Sequence, residues 1–166
     1  MLRSARRFGL IAVMLGVTLA LGASLVAQAD PFMGTWVLNV DKSEFNAAGG
    51  AAVRSRTLVI AAKGDMISHS QDTYRAGQDA VTKIVGDVKY DGKDYPVTGA
   101  AYEQVSFTRM GTTLTRKAKN RGMEVESATY TVSPDGKTLT IKTTGNNYGV
   151  MYSSTQVFEK KAPGTN

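Results

Sequence analysis

From Gly34 onward the chain alternates apolar and polar residues in short stretches closed by turn-forming residues, and no long stretch keeps helical spacing. Gly34 to Val40 sets Trp36, Leu38 and Val40 on one face and Thr35, Val37 and Asn39 on the other. Asp41-Lys42-Ser43-Glu44 has capping-box spacing, which predicts one helical turn after that strand. Small residues from Ala47 to Ala52 predict a loop, and a strand follows over Val53 to Ala62 with Leu58 and Ile60 in phase. Lys63-Gly64-Asp65 turns the chain into a strand from Met66 to Tyr74, and Ala76-Gly77-Gln78-Asp79 turns it into another from Ala80 to Tyr90.

The second half keeps the same rhythm. Asp91-Gly92 predicts a tight hairpin, because both central positions of a primed turn need positive φ. Pro96 then belongs at a strand end or edge, since it cannot donate to a ladder. Tyr102 to Met110 places Val105 and Phe107 on one face; Gly111 and Arg121-Gly122 bracket the next strand, Thr112 to Lys119, and Met123 to Val132 follows. Pro134-Asp135-Gly136 is a turn in which Pro fixes φ and Gly supplies the left-handed position. Thr138 to Thr143 points Leu139 and Ile141 inward, Gly145-Asn146-Asn147 predicts a turn, and Tyr148 to Glu159 forms the last strand before a polar tail from Lys161.

About nine strands at roughly 8–12-residue spacing make an all-β chain. Short links join sequence neighbours as hairpins, so an antiparallel up-and-down meander is expected to close into a barrel of about eight to ten strands. Closure removes the exposed edges of such a sheet. The competing expectation is a half-open sheet that dimerises.

The first residues depart from this pattern. Arg3, Arg6 and Arg7 precede an apolar run from Phe8 to about Val26, which ends at Ala27-Gln28-Ala29. A charged start, an apolar middle and a small-x-small exit predict a cleavable secretory signal over residues 1–29. The mature domain is then residues 30–166, periplasmic or secreted, with no membrane span after cleavage. The whole chain has 20 Lys and Arg against 14 Asp and Glu; without the signal 17 face 14, a net charge of +3 rather than +6. Nucleic-acid binding loses most of its compositional support. The chain has no cysteine, so no disulfide staples it.

Little in the composition offers catalytic chemistry. His69 is the single histidine, and with no cysteine a metal site would rest on carboxylates. Its neighbours Ser68 and Asp72 could pair with it only across a strand's two faces. Asp91 and Asp94 flank Gly92-Lys93 without full calcium-loop spacing, and turn chemistry accounts for them. Glu124 and Glu126 share a strand face, as do Lys117, Lys119 and Arg121, and predict paired charges on the outer wall. Arg116 is in phase with Leu114 and Ala118, and Arg54 and Arg56 with Leu58 and Ile60. A cation pointing into a barrel must be paired or hydrated. Arg116 is therefore expected to meet a ligand anion, a buried carboxylate, or water at the barrel mouth.

Asp30-Pro31-Phe32-Met33-Gly34-Thr35-Trp36 resembles the opening of lipocalin-like proteins, in which a Gly-x-Trp on the first strand plugs the closed barrel end. The second, mid-chain lipocalin motif is absent, and no Arg ends the last strand to cover the Trp; Lys160 and Lys161 stand nearby instead. Gly34-Thr35-Trp36-Val37-Leu38-Asn39 and Tyr90-Asp91-Gly92-Lys93-Asp94-Tyr95-Pro96-Val97-Thr98-Gly99 are also similar to a group of uncharacterised exported bacterial proteins. One histidine, no cysteine and no recognisable triad or cofactor motif predict a non-enzymatic protein without cofactor, and the lipocalin resemblance implies a barrel that holds a small apolar or amphiphilic ligand. The candidate contacts are Arg116, Trp36, Phe107, Tyr130 and Tyr152. The alternative is a cavity-free structural or interaction module that binds another envelope protein. An apolar interior void of a few hundred Å³ is expected of a carrier. A filled barrel with an exposed apolar patch is expected of the module.

Overall fold

The computed structural model describes residues 30–46, 52–78, 80–147 and 149–162. The signal segment, its cleavage site and most of the Ala47 to Ala52 loop lie outside the described residues. Ten strands form one sheet: β1 (Gly34–Asn46), β2 (Val53–Lys63), β3 (Met66–Arg75), β4 (Thr82–Val88), β5 (Asp91–Pro96), β6 (Gln104–Met110), β7 (Thr113–Asn120), β8 (Met123–Val132), β9 (Thr138–Asn147) and β10 (Val150–Lys160). Their order is β4-β3-β2-β1-β10-β9-β8-β7-β6-β5, and every paired neighbour is antiparallel. This is the expected up-and-down meander. It is a nearly closed barrel whose seam lies between β4 and β5, bridged by the reciprocal Val85–Thr98 hydrogen bonds of 2.9 and 3.1 Å.

The alternation predicts the inward faces well. Trp36, Leu58, Ile60, Phe107, Leu114, Leu139 and Phe158 all point in and are buried. Phe32, in the turn before β1, caps the end that they fill. Each such side chain contributes about 1.5–3 kcal/mol by leaving water.

Three local readings need correction, and the first two trace to an irregular pairing. The Asp41–Glu44 segment is not helical. β1 continues to Asn46 with a bulge between Asn39 and Glu44, where the Ser43 hydroxyl donates to the Asn39 carbonyl at 2.6 Å and accepts from the Val157 N–H at 3.0 Å. The bulge also leaves Val40 38% exposed rather than in phase with Leu38. Asp91-Gly92 is not a hairpin turn. It opens β5 at a bulge, and β4 and β5 share no ladder. The Gly145-Asn146-Asn147 turn is not there either, because β9 runs on to Asn147. Gly145 faces the Tyr152 ring, and a Cβ at that position would overlap it. The missing side chain lets the ring lie across β9.

Candidate functional site

The barrel interior divides along its axis. At the plugged end the Trp36 indole N–H donates to the Phe32 carbonyl at 2.8 Å, and the Lys160 ammonium sits 4.8 Å from the Trp36 ring centroid. The Lys160 stem lies over Gly34, whose φ of +132° is open to glycine and rarely to other residues. Lys160 thus occupies the covering position above the tryptophan. This end is packed core, which separates Trp36 from the other candidate contacts.

Towards the mouth the inward positions become polar. The Arg116 side chain on β7 is largely buried; its guanidinium donates to the Tyr102 hydroxyl at 2.6 Å and forms an ion pair with Glu126 on β8. Glu126 also accepts from the Tyr152 hydroxyl at 2.6 Å. Glu126 therefore points inward, and the expected sharing of the outer wall with Glu124 fails for a definite reason. Ala118 pairs with Glu126 but Lys119 with Glu124, so Val125 is an extra residue that reverses the phase. Glu124 stays outside, paired with Lys117 at 2.9 Å. An exposed pair of this kind contributes at most about 1 kcal/mol.

Arg56 on β2 also points in, as its phase implied, and is 8% exposed. Its Nε donates to Thr73 Oγ1 at 2.9 Å and its Nη1 to Gln156 Oε1. Arg54 does not follow it inward, because the β2–β3 register slips between Val53 and Ser55 and leaves Arg54 exposed. Desolvation, and then the nearby Arg75 charge, pull the Arg56 guanidinium down to about 10.

Between the apolar end and the polar groups lies a void of about 40 Å³, lined by residues that include Leu58, His69, Gln71, Phe107, Arg116 and Tyr130. Three of the five candidate contacts, Arg116, Phe107 and Tyr130, meet here. Tyr152 reaches the same polar network through Glu126, and Trp36 lies away from it. Ordinary small-molecule pockets have roughly 300–1,000 Å³, so this void is far smaller than the one expected of a carrier. A larger hollow of about 290 Å³ lies on the outer wall over Thr129, Thr131, Ser133, Thr140 and Lys142.

His69 faces the void from β3, its ring 4.6 Å from that of Phe107 and its Nε2 hydrogen-bonded with the Tyr90 hydroxyl at 3.1 Å. Desolvation, with a smaller push from the Arg116 charge, lowers the imidazole to about 3 from its usual 6.5. It is neutral at neutral pH. The unfolded chain takes up the proton near pH 6.5 but the folded chain only near 3, so the stability linked to His69 is complete above pH 6.5 and lost as pH falls towards 3. The urea midpoint is expected to drop across that window and to drop less in His69→Gln; identical slopes would exclude this linkage. Among the described residues, no group of three or more His, Asp or Glu is placed to hold a metal.

No protein-family profile matches the chain, and no curated protein matches it in sequence. Solved structures do. Wild-type UnaG, a fluorescent protein, superposes with a TM-score of 0.52 at 15% identity, covering 78% of this chain and 97% of its own. Zebrafish ileal bile acid-binding protein, solved with cholic acid, gives a TM-score of 0.51 at 15% identity, covering 79% and 99%. The likeness establishes a lipocalin-like barrel fold.

Sequence reasoning missed Glu126, Tyr102, Gln71, Thr73 and Gln156 as interior groups. Thr73 and Gln156 carried a usable signal, a polar residue at an inward phase position. Glu126 carried the same signal, an inward phase shared with Ala128, Tyr130 and Val132, but the bulge at Val125 hides that Glu124 does not share it.

Proposed function

We propose that this protein is an exported, non-enzymatic barrel that binds a small amphiphilic molecule in its interior. The observation that carries the reading is the polar half of the interior. A barrel filled for stability alone has no use for Arg56, Thr73, Gln156, Arg116 and Glu126 on its inner wall, because buried polar groups add little stability even when satisfied. The bile acid-binding neighbour is a barrel of the same fold crystallised with an amphiphile. Export rests on the amino-terminal pattern. With only about 40 Å³ in the interior void, binding requires the side chains around it to part.

The test is displacement of the fluorescent probe 1-anilinonaphthalene-8-sulfonate, together with native mass spectrometry of protein purified from its own host. Co-purified small molecules, or probe displacement by their extract, are the expected result. A ligand-free protein that fails to take up the probe would refute the carrier reading.

One observation favours the second reading, a module that binds another envelope protein. Phe45, Tyr74, Met123, Val150 and Met151 are exposed and stand at the mouth end of their strands, with exposed Val81 just before β4. Cross-linking in whole cells that captured one partner through these residues, with no ligand found, would favour that reading.

A further inference from the structure

The interior polar groups do not balance in charge. Glu126 is engaged by both Arg116 and Tyr152, so its negative charge is committed. Arg56 is buried, and among the described residues it has no carboxylate within ion-pair range and only neutral hydrogen-bond partners. A guanidinium carries five N–H donors, and Arg56 uses two of them on these partners.

The groups around it are short of acceptors as well. Thr73 Oγ1 accepts from Arg56 at 2.9 Å and from Gln71 Nε2 at 3.4 Å, which leaves its hydroxyl hydrogen to be donated elsewhere. Gln156 Oε1 accepts from Arg56, and its Nε2 donates to Ser154 Oγ at 3.0 Å, which leaves the Ser154 hydroxyl hydrogen in the same position. Arg56 and Thr73 on neighbouring strands, with Ser154 reached through Gln156, thus form a donor-rich wall. β1 pairs with β2 only from Gly34 to Val37, so Arg56 stands beyond the last β1–β2 pair, on the mouth side. The geometry points to a binding site for one carboxylate at Arg56, completed by the Thr73 and Ser154 hydroxyls, that holds the headgroup of an anionic amphiphile while Arg116 stays with Glu126.

This inference rests on the interior-binding reading, and matched ligands separate the two. Octanoate, octanol and acetate are titrated calorimetrically into the wild type and into Arg56→Gln, Arg56→Lys and Lys117→Gln. Octanoate is expected to bind wild type at least tenfold more tightly than octanol, and acetate to bind weakest. Arg56→Gln should remove the preference and leave octanol affinity unchanged, which also shows that the variant is folded. Arg56→Lys should keep a reduced preference, because lysine retains the charge without the two-pronged geometry. Lys117→Gln should change neither. Equal octanoate and octanol affinities in wild type, or a preference that survives Arg56→Gln, overturn the carboxylate site and leave the interior-binding reading standing. Acetate binding as tightly as octanoate overturns the amphiphile in favour of a free small carboxylate. No heat with any of the three overturns both readings.

Discussion

Trp36→Ala is expected to lower the unfolding free energy by about 3–5 kcal/mol, the range for deleting a large buried aromatic. The side chain is fully buried at the plugged end, beside Phe32, and supports two further contacts that the substitution removes together. The Phe32 carbonyl loses its 2.8 Å donor, and the Lys160 ammonium loses the ring beneath it. Trp36→Phe keeps most of the apolar body and is expected to cost about 1–3 kcal/mol, mainly through the orphaned carbonyl. Urea midpoints at constant m-value measure both. A loss below about 1.5 kcal/mol for Trp36→Ala would mean that the plug is not part of the cooperative core. The same pair checks the functional division of the interior, since neither change touches the polar half and ligand preference should be unchanged.

The alternation of side chains was enough to read the plugged end, because a strand that pairs without interruption keeps one parity along its length. Leu58 with Ile60, Val105 with Phe107 and Leu139 with Ile141 are of this kind, and all are buried. Gly34 and Trp36 were legible for a different reason, as a short motif with its own steric logic. The polar half was less legible because its arrangement depends on bulges. A bulge adds one residue to one strand and reverses every later side chain. Nothing local announces the one at Val125, so Glu126 read as an outer-wall charge beside Glu124, although its parity with Tyr130 and Val132 places it inside. The bulge after Asn39 read as a helix start, since Asp41 and Glu44 have capping-box spacing and the Asn39 side chain accepts from the Lys42 N–H as a cap would. Gly145 read as a turn because the partner that needs its missing side chain, Tyr152, is visible only once β9 and β10 are paired. Arg116 could be placed inside by phase, but its carboxylate partner could not be chosen without the register.

That ion pair yields the second large effect. Glu126→Leu is expected to destabilise the protein by about 3–5 kcal/mol, because it leaves the Arg116 charge enclosed without a counter-charge. Each side chain of the pair is 13% exposed, so water can offer little compensation. Tyr152 loses its acceptor in the same step. Adding Arg116→Met to Glu126→Leu should restore most of the loss, since replacing a buried pair as a unit by apolar residues is often neutral or better. A double-mutant cycle from urea titrations reads the coupling directly, with Lys117→Met and Glu124→Leu as the exposed comparison on the same two strands. If breaking Arg116–Glu126 costs no more than breaking Lys117–Glu124, Arg116 is hydrated rather than enclosed. The charge balance that singles out Arg56 would then fail with it, because a hydrated Arg116 could meet an anion as readily as Arg56.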